Sequence, residues 1–190
     1  MGDCVFQTPR LVAVAFGEEQ LTPRYVDWLN DPATMAHSEQ RHRQHELASC
    51  RAYFESFAGR RGDFLALTLR DGGEHIGNIS LAVDGPNGVA NISIMIGEPA
   101  ARGQGLGREA LIGVLEHLFR ARGVRKAQVG TMDANAAMKA AAIGAGMIGD
   151  GRRARHFLLE DREVDLVHFA AFADDWSQDA AVVFDNNPSK

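Results

Sequence analysis

Apolar residues run without a break through positions 11–16 up to Gly17 and predict a first strand. Thr22-Pro23 then opens a helix, because a proline in the first turn has no N–H to leave unpaired. Tyr25, Trp28 and Leu29 fall at helical spacing, and Asn30-Asp31-Pro32 stops the run. Residues 35–45 are polar and histidine-rich, with no period. From Leu47 the helical spacing returns through Cys50, Phe54 and Phe57, and Gly59 closes it. The rhythm then alternates. Phe64, Leu65, Leu67 and Leu69 mark one strand, and Ile76, Ile79, Leu81 and Val83 a second. In the third, over residues 89–96, Ile92, Ile94 and Ile96 alternate with Asn91, Ser93 and Met95. The turns between them, at Asp71-Gly72-Gly73 and residues 84–88, are too short for a parallel crossover, so the three strands form an antiparallel meander.

Beyond the meander a glycine-rich stretch leads into an apolar helix over residues 106–122. A strand over 124–131 follows, then a helix of small residues over 134–145. A hairpin of 157–160 and 164–171 turns around Asp161-Arg162. This order predicts a mixed α/β domain, antiparallel first and locally parallel where a helix crosses over. Residues 1–176 are expected to form a single domain, with 177–190 as a polar tail.

Composition narrows the function classes. The formal net charge of −5 argues against a general nucleic-acid binder, which needs a basic face to displace counterions. The local basic clusters, at Arg60-Arg61, residues 120–126 and Arg152-Arg153 with Arg155, read as solvated surface. Cys4 and Cys50 are too few for a disulfide scaffold and are expected to be reduced thiols. The chain starts without the basic-then-apolar pattern of a signal peptide, and no run is long enough to span a bilayer. A cytoplasmic protein without a membrane partner is therefore expected.

The most informative stretch is Arg102-Gly103-Gln104-Gly105-Leu106-Gly107-Arg108. Its alternating glycines sit directly before a helix, whose first amides lack partners and carry partial positive charge. Glycines let such a backbone turn tightly and approach a ligand, which makes an anion site suited to a diphosphate. Arg102 and Arg108 can add charge-assisted hydrogen bonds. The Walker pattern is absent. Gly105-x-Gly107-x-x-Ala110 matches the looser dinucleotide fingerprint, but that fingerprint belongs directly after the first strand of a parallel unit, not after a meander. A helix start with no ligand is the bland alternative.

These residues resemble the GNAT superfamily of acetyl-CoA-dependent N-acetyltransferases, in the branch of the ribosomal-protein alanine acetyltransferases. Residues 102–107 fit the superfamily's diphosphate signature. Residues 92–97 resemble its fourth strand, and Asn135 followed by Gly146-Met147 resembles the stretch after its fifth. Trp28-Leu29-Asn30-Asp31-Pro32 and His75-Ile76-Gly77-Asn78-Ile79 are also similar to that branch. The resemblance implies a mostly antiparallel sheet of about seven strands with helices on both faces. It implies acetyl-CoA as co-substrate and an amine acceptor. The pantetheine arm would lie beside Met95 and Ile96, and the amides from Gly103 to Arg108 would hold the diphosphate. Asn135 would contact pantetheine or order its helix, and Lys139 would reach the adenosine end or face solvent. The oligomeric state stays open, a homodimer included.

The chain also departs from the pattern. Relatives supply a Tyr or Ser to protonate the leaving thiolate where this chain has Ala142 and Met138, and a Glu where it has Asn91. No general acid can be carried over. Glu39 is the first candidate base and His37 the second, since the polar segment after the first helix should border the acceptor; His42 and His45 belong to the same segment. His42 with His45 lacks a third ligand, so no metal is expected. His75, His117, His156 and His168 read as structural. Weak acid–base groups favour a less basic amine, an α-amine or an amino sugar. The segment from Tyr25 through Asn30-Asp31-Pro32 to Ser38-Glu39-Gln40-Arg41 resembles GNAT enzymes that acetylate nucleotide-linked amino sugars, which implies such an acceptor, with Arg41 and Arg43 suited to its phosphate. The alternative is a catalytically silent CoA-binding module.

Overall fold

The computed structural model describes residues 3–60 and 63–177. Arg61 of the first basic cluster and residues 178–190 of the expected tail lie outside them. The strands are β1 (Cys4–Gln7), β2 (Leu11–Ala15), β3 (Phe64–Leu69), β4 (His75–Asp84), β5 (Val89–Ile96), β6 (Lys126–Met132), β7 (Ile148–Leu159) and β8 (Arg162–Phe172). The helices are α1 (Pro23–Asn30), α2 (Pro32–Met35), α3 (Leu47–Glu55), α4 (Leu106–Glu116) and α5 (Ala136–Gly144). The strands form one mixed, mostly antiparallel sheet in the order β1-β2-β3-β4-β5-β6-β8-β7. The chain resolves into two compact units. One holds the residues up to Leu81 with Ser93–Leu106, and the other Ala82–Ile92 with the residues from Gly107 onward.

In the first unit β2 pairs antiparallel with β3 (Leu11↔Leu69 to Ala15↔Leu65), and β3 with β4. One face carries an aromatic cluster. Phe16 stacks on Phe64 with centroids 4.3 Å apart and meets Tyr25 at 5.3 Å. Trp28, Cys50 and Ala66 are buried in the same cluster. Thr22 caps α1 by accepting from the Tyr25 amide at 3.3 Å, and Pro23 occupies its first turn. Asp31 caps α2, accepting from the Thr34 amide at 2.9 Å. The stretch that shows no period in the sequence starts at the last residue of α2 and holds a 3-10 turn over Glu39–His42.

In the second unit β5 and β6 run parallel from Val89↔Lys126 to Asn91↔Gln128. The intervening α4 buries Ala110, Leu111, Val114 and Leu115 at helical spacing, and Leu118 just beyond it continues the stripe. Its last turn widens into a π-helix over His117–Ala121. β8 lies between β6 and β7 and pairs antiparallel with both. The final hairpin is much longer than its sequence suggests, because β7 begins at Ile148. Nearly all of β7 is exposed, so residues 149–153 need no apolar alternation. The turn falls at Glu160-Asp161, both at positive φ (49° and 63°), and Arg162 already belongs to β8. The sheet has eight strands where the sequence suggests about seven. The addition is β1, too short and too exposed to leave a pattern.

Candidate functional site

The glycine-rich loop joins β5 to α4 through a short 3-10 turn over Pro99–Ala101. Gly103 and Gly105 adopt φ of +72° and +76°, which side-chain-bearing residues seldom take up. A Cβ at Gly103 would meet no atom within 4 Å, so the outer side of the turn is open. The Arg102 amide donates to the Pro99 carbonyl at 3.2 Å. Leu106 then starts α4, whose opening amides have no intrahelical acceptors. Open glycine backbone at the start of an eleven-residue helix fits a bound diphosphate. Gly107 and Arg108 continue the helix; the stem of Arg108 packs on α5, where a Cβ on Gly144 would come within 2.6 Å of Arg108 Cδ.

Arg102 turns inward. Its Nε donates to the Ile96 carbonyl at 3.2 Å, and Nη2 donates to the Gly97 carbonyl at 2.7 Å and to Thr34 Oγ1 at 2.5 Å. Asp31 lies 3.6 Å from the same nitrogen. The guanidinium therefore ties the end of β5 to the start of α2. The expectation that it adds charge outside the loop is not how the side chain is placed. The hydroxyl and amide of Thr34 hold the Asp31 carboxyl below its ordinary range.

Met95 and Ile96 end β5 and are half-buried. They press closely on β4: a Cβ on Gly77 would overlap the Met95 carbonyl and lie 3.1 Å from Ile96 Cα. The next position, Gly97, faces Trp28, and the Gly97 amide donates to the Ile76 carbonyl at 2.9 Å. Beyond it Arg24 bridges Glu98 and Glu74, and its hydrogen bond lowers the pKa of Glu98.

The two candidate bases occupy the first unit. Glu39 begins the 3-10 turn, is 57 % exposed, and accepts from Arg41 Nη1 at 2.7 Å. His37 is half-buried two residues before it. His45 joins α1 through its backbone, donating to Asn30 Oδ1 at 2.8 Å and accepting from Asn30 Nδ2 at 2.9 Å. His75 packs among Trp28, Phe16 and Tyr25, with the Trp28 ring 5.0 Å away. Burial lowers its pKa to about 4, so it is a neutral packing group at physiological pH.

In the second unit Asn135 caps α5. Its Oδ1 accepts from the Met138 amide at 3.1 Å and its Nδ2 donates to Thr131 Oγ1 at 3.0 Å, so both ends of the carboxamide order the helix start. Lys139 pairs with Asp133 at 2.7 Å. Asn91 accepts from Gln128 Nε2 at 2.6 Å, and Ala142 is buried. The basic clusters are largely engaged by acids: Lys126 with Asp150, Arg152 with Asp165 and Asp133, and Arg155 with Glu163.

One residue that sequence reasoning misses reaches the loop. Arg10, just before β2, donates from Nη1 to the Gln104 carbonyl at 2.9 Å. Nothing local marks it, because the contact spans 94 positions.

Comparison with known proteins gives the class. The acetyltransferase (GNAT) domain family matches residues 10–148, and the chain belongs to it. No curated protein matches the chain by sequence. Among solved structures, a GNAT-family acetyltransferase from Bacillus anthracis superposes with a TM-score of 0.78 at 14% identity, covering 90% of this chain and 99% of its own. The spermidine N-acetyltransferase from Vibrio cholerae, solved with CoA and spermine, gives 0.76 at 15% identity, covering 86% and 96%. RimL, a ribosomal L7/L12 alpha-N-protein acetyltransferase solved with CoA, gives 0.75 at 17% identity, covering 90% and 98%. At these identities the likeness is one of fold. No helix among the described residues is long and apolar enough to cross a membrane.

Proposed function

We propose that this chain moves an acetyl group from acetyl-CoA to a primary amine by direct transfer. The observation that carries the reading is the pair of left-handed glycines, Gly103 and Gly105, placed directly before α4 in a chain of the GNAT family. In this reading the amides from Gly103 to Arg108 hold the diphosphate, and Met95 and Ile96 flank the acyl end. The bound thioester supplies an activated acyl group whose leaving thiolate, with a pKa of roughly 8.5, departs near neutral pH without a strong acid. That suits a chain with Ala142 and Met138 where relatives carry a hydroxyl. A backbone N–H near Ile96 would face the developing oxyanion, a contact worth about 3–4 kcal/mol in other acyl-transfer enzymes.

Arg102 has a positioning role here. By joining the Ile96 and Gly97 carbonyls to Thr34, it fixes the acyl end against the segment that carries His37 and Glu39. Glu39, exposed, is the proposed proton acceptor for the incoming ammonium, with His37 as second choice. A modest base favours an amine that is partly neutral already. An α-amine has a pKa near 8 against about 10.4 for lysine, so roughly a tenth of it is free at pH 7. A protein N-terminus or a small amino compound, a nucleotide-linked amino sugar included, fits that requirement. RimL, named for an α-amine acceptor, shares the fold.

Thiol release from acetyl-CoA across a panel of α-amine peptides, amino sugars, polyamines and lysine peptides tests the reading. Turnover led by α-amines or amino sugars supports it. CoA binding without turnover on any amine favours a silent CoA-binding module, to which the replacements Asn91, Met138 and Ala142 lend support.

A further inference from the structure

Asn78 lies in β4 and is 5 % exposed, yet among the described residues no hydrogen bond is completed at its Oδ1 or its Nδ2. A carboxamide brings two N–H donors and an oxygen with two lone pairs, and leaving them dry and unpaired costs stability. His75 borders it, but the Nε2 of that ring bonds to the Gly77 carbonyl at 3.0 Å, so at most one group of Asn78 can turn to the imidazole. The register sets the direction of the side chain. Asn78 sits opposite Ala66, which belongs to the aromatic cluster that Met95 packs against from β5. Opposed residues share a face of the sheet, so the carboxamide is aimed at that cluster. Gly77, just before it, is the residue whose Cβ would overlap the Met95 carbonyl. All of these residues lie in the first unit. Stability alone would place an apolar side chain here; a polar one kept dry without a partner marks a place where a partner arrives.

Resting on the proposed acetyl transfer, we infer that Asn78 is a catalytic residue that holds the tetrahedral adduct, with Nδ2 donating to the oxyanion and Oδ1 accepting from the N–H of the attacking amine. In that step the nitrogen lone pair forms a C–N bond to the thioester carbon, and the C=O π pair moves onto oxygen. The nitrogen then loses its extra proton to Glu39, and return of the electron pair to C=O expels CoA as its thiolate. While the adduct lasts, its oxygen and its N–H sit on one carbon and can face a single carboxamide side by side, as two amides pair. The acetylated product is a trans amide whose N–H and C=O point opposite ways, so it cannot keep both bonds. Asn78 is thus matched to the adduct rather than to the product, which is the selectivity that raises kcat. Both of its groups are closed to solvent in the free chain, so the acceptor reaches them by displacing a neighbour. Met95, partly buried and with an unbranched thioether chain, is the side chain of that cluster that yields most readily.

Two variants of the full chain test this: Asn78→Leu, which keeps the branched shape, and Asn78→Val, which is smaller and suits a strand. Each is melted, titrated with CoA, and assayed with acetyl-CoA and an alanyl peptide or a hexosamine, whichever the wild type turns over. Removing unpaired polar groups from apolar surroundings should leave the melting temperature at or above that of the wild type in at least one variant. Affinity for CoA is expected to stay within about twofold, while kcat falls by about 10²-fold, as loss of a donor to an oxyanion does elsewhere. A residue with a merely structural role would show the reverse, a lower melting temperature and a preserved kcat. A kcat within about tenfold of the wild type in either folded variant overturns the inference. So does a lowered melting temperature in both variants, which would mean that the carboxamide is paired inside the folded chain. Either result leaves the wild type an acetyltransferase, whereas a wild type that acetylates no amine overturns the proposed function and this inference with it.

Discussion

The indole of Trp28 occupies the space that a Cβ on Gly97 would need. An ideal Cβ there would lie 2.7 Å from Trp28 Cγ and closer still to Cδ2 and Cε3. Trp28 is buried in the aromatic cluster, so its ring has little room to move aside. Gly97→Ala is therefore expected to destabilise the protein by about 1–3 kcal/mol, as overpacked sites do. The double variant with Trp28→Leu should lose less than the sum of the two single variants. Denaturant melts of the three variants check this, and strict additivity would show that the two residues do not compete for the space.

Arg102 makes three hydrogen bonds to groups on both sides of the β5–α2 junction. Arg102→Lys keeps a charge but loses the fork. It is expected to cost about 1–3 kcal/mol of stability by leaving carbonyls unpaired, and to raise KM for the amine more than Kd for CoA. Steady-state kinetics alongside calorimetry separate the two effects. A large loss of CoA affinity with an unchanged amine KM would place the guanidinium on the nucleotide.

Glu39→Gln removes the proposed proton acceptor while keeping size and polarity. A fall in kcat/KM of about 10²–10⁴-fold is expected, larger than for His37→Gln. The reverse ranking would assign the role to His37.

His75 gives a pH signature of folding. Burial lowers its folded pKa to about 4, below the ordinary 6.5, so the unfolded chain binds the proton more readily. Its neutral form is accommodated fully above pH 6.5, and stability falls as pH drops from there toward 4, by at most about 1.4 kcal/mol per unit. His117, lowered in the same direction by burial, adds to the slope. His75→Phe is expected to flatten the profile of stability against pH between 6.5 and 4. An unaltered slope would mean that other groups dominate it.

Much of this fold is legible in the sequence because its signals are local. Thr22-Pro23, the alternating isoleucines of β5 and the buried stripe of α4 each mark an element within a few residues. The same holds for the Gly103–Gly107 loop, since positive φ before a helix is a demand on glycine itself. What escapes is what depends on distant partners. The exposed β7 needs no apolar pattern because β8 supplies its ladder, and β1 is too short to show one. The direction of Arg102 is set by the Ile96 and Gly97 carbonyls and by Thr34, a residue 68 positions away, so spacing cannot tell an inward tie from an outward ligand. Arg10 meets Gln104 only once β2 is in place. The acid–base groups stay the least legible, because Glu39 and His37 sit in a polar segment whose sequence has no period.

The most direct test of the account is CoA binding by calorimetry to the wild type and to Gly103→Val. At φ of +72° a β-branched side chain is strained and would also stand over the open side of the turn. The account predicts that the wild type binds CoA and that Gly103→Val, with circular dichroism unchanged, binds it at least tenfold more weakly. A folded variant with wild-type affinity, or a wild type that does not bind CoA, would contradict it.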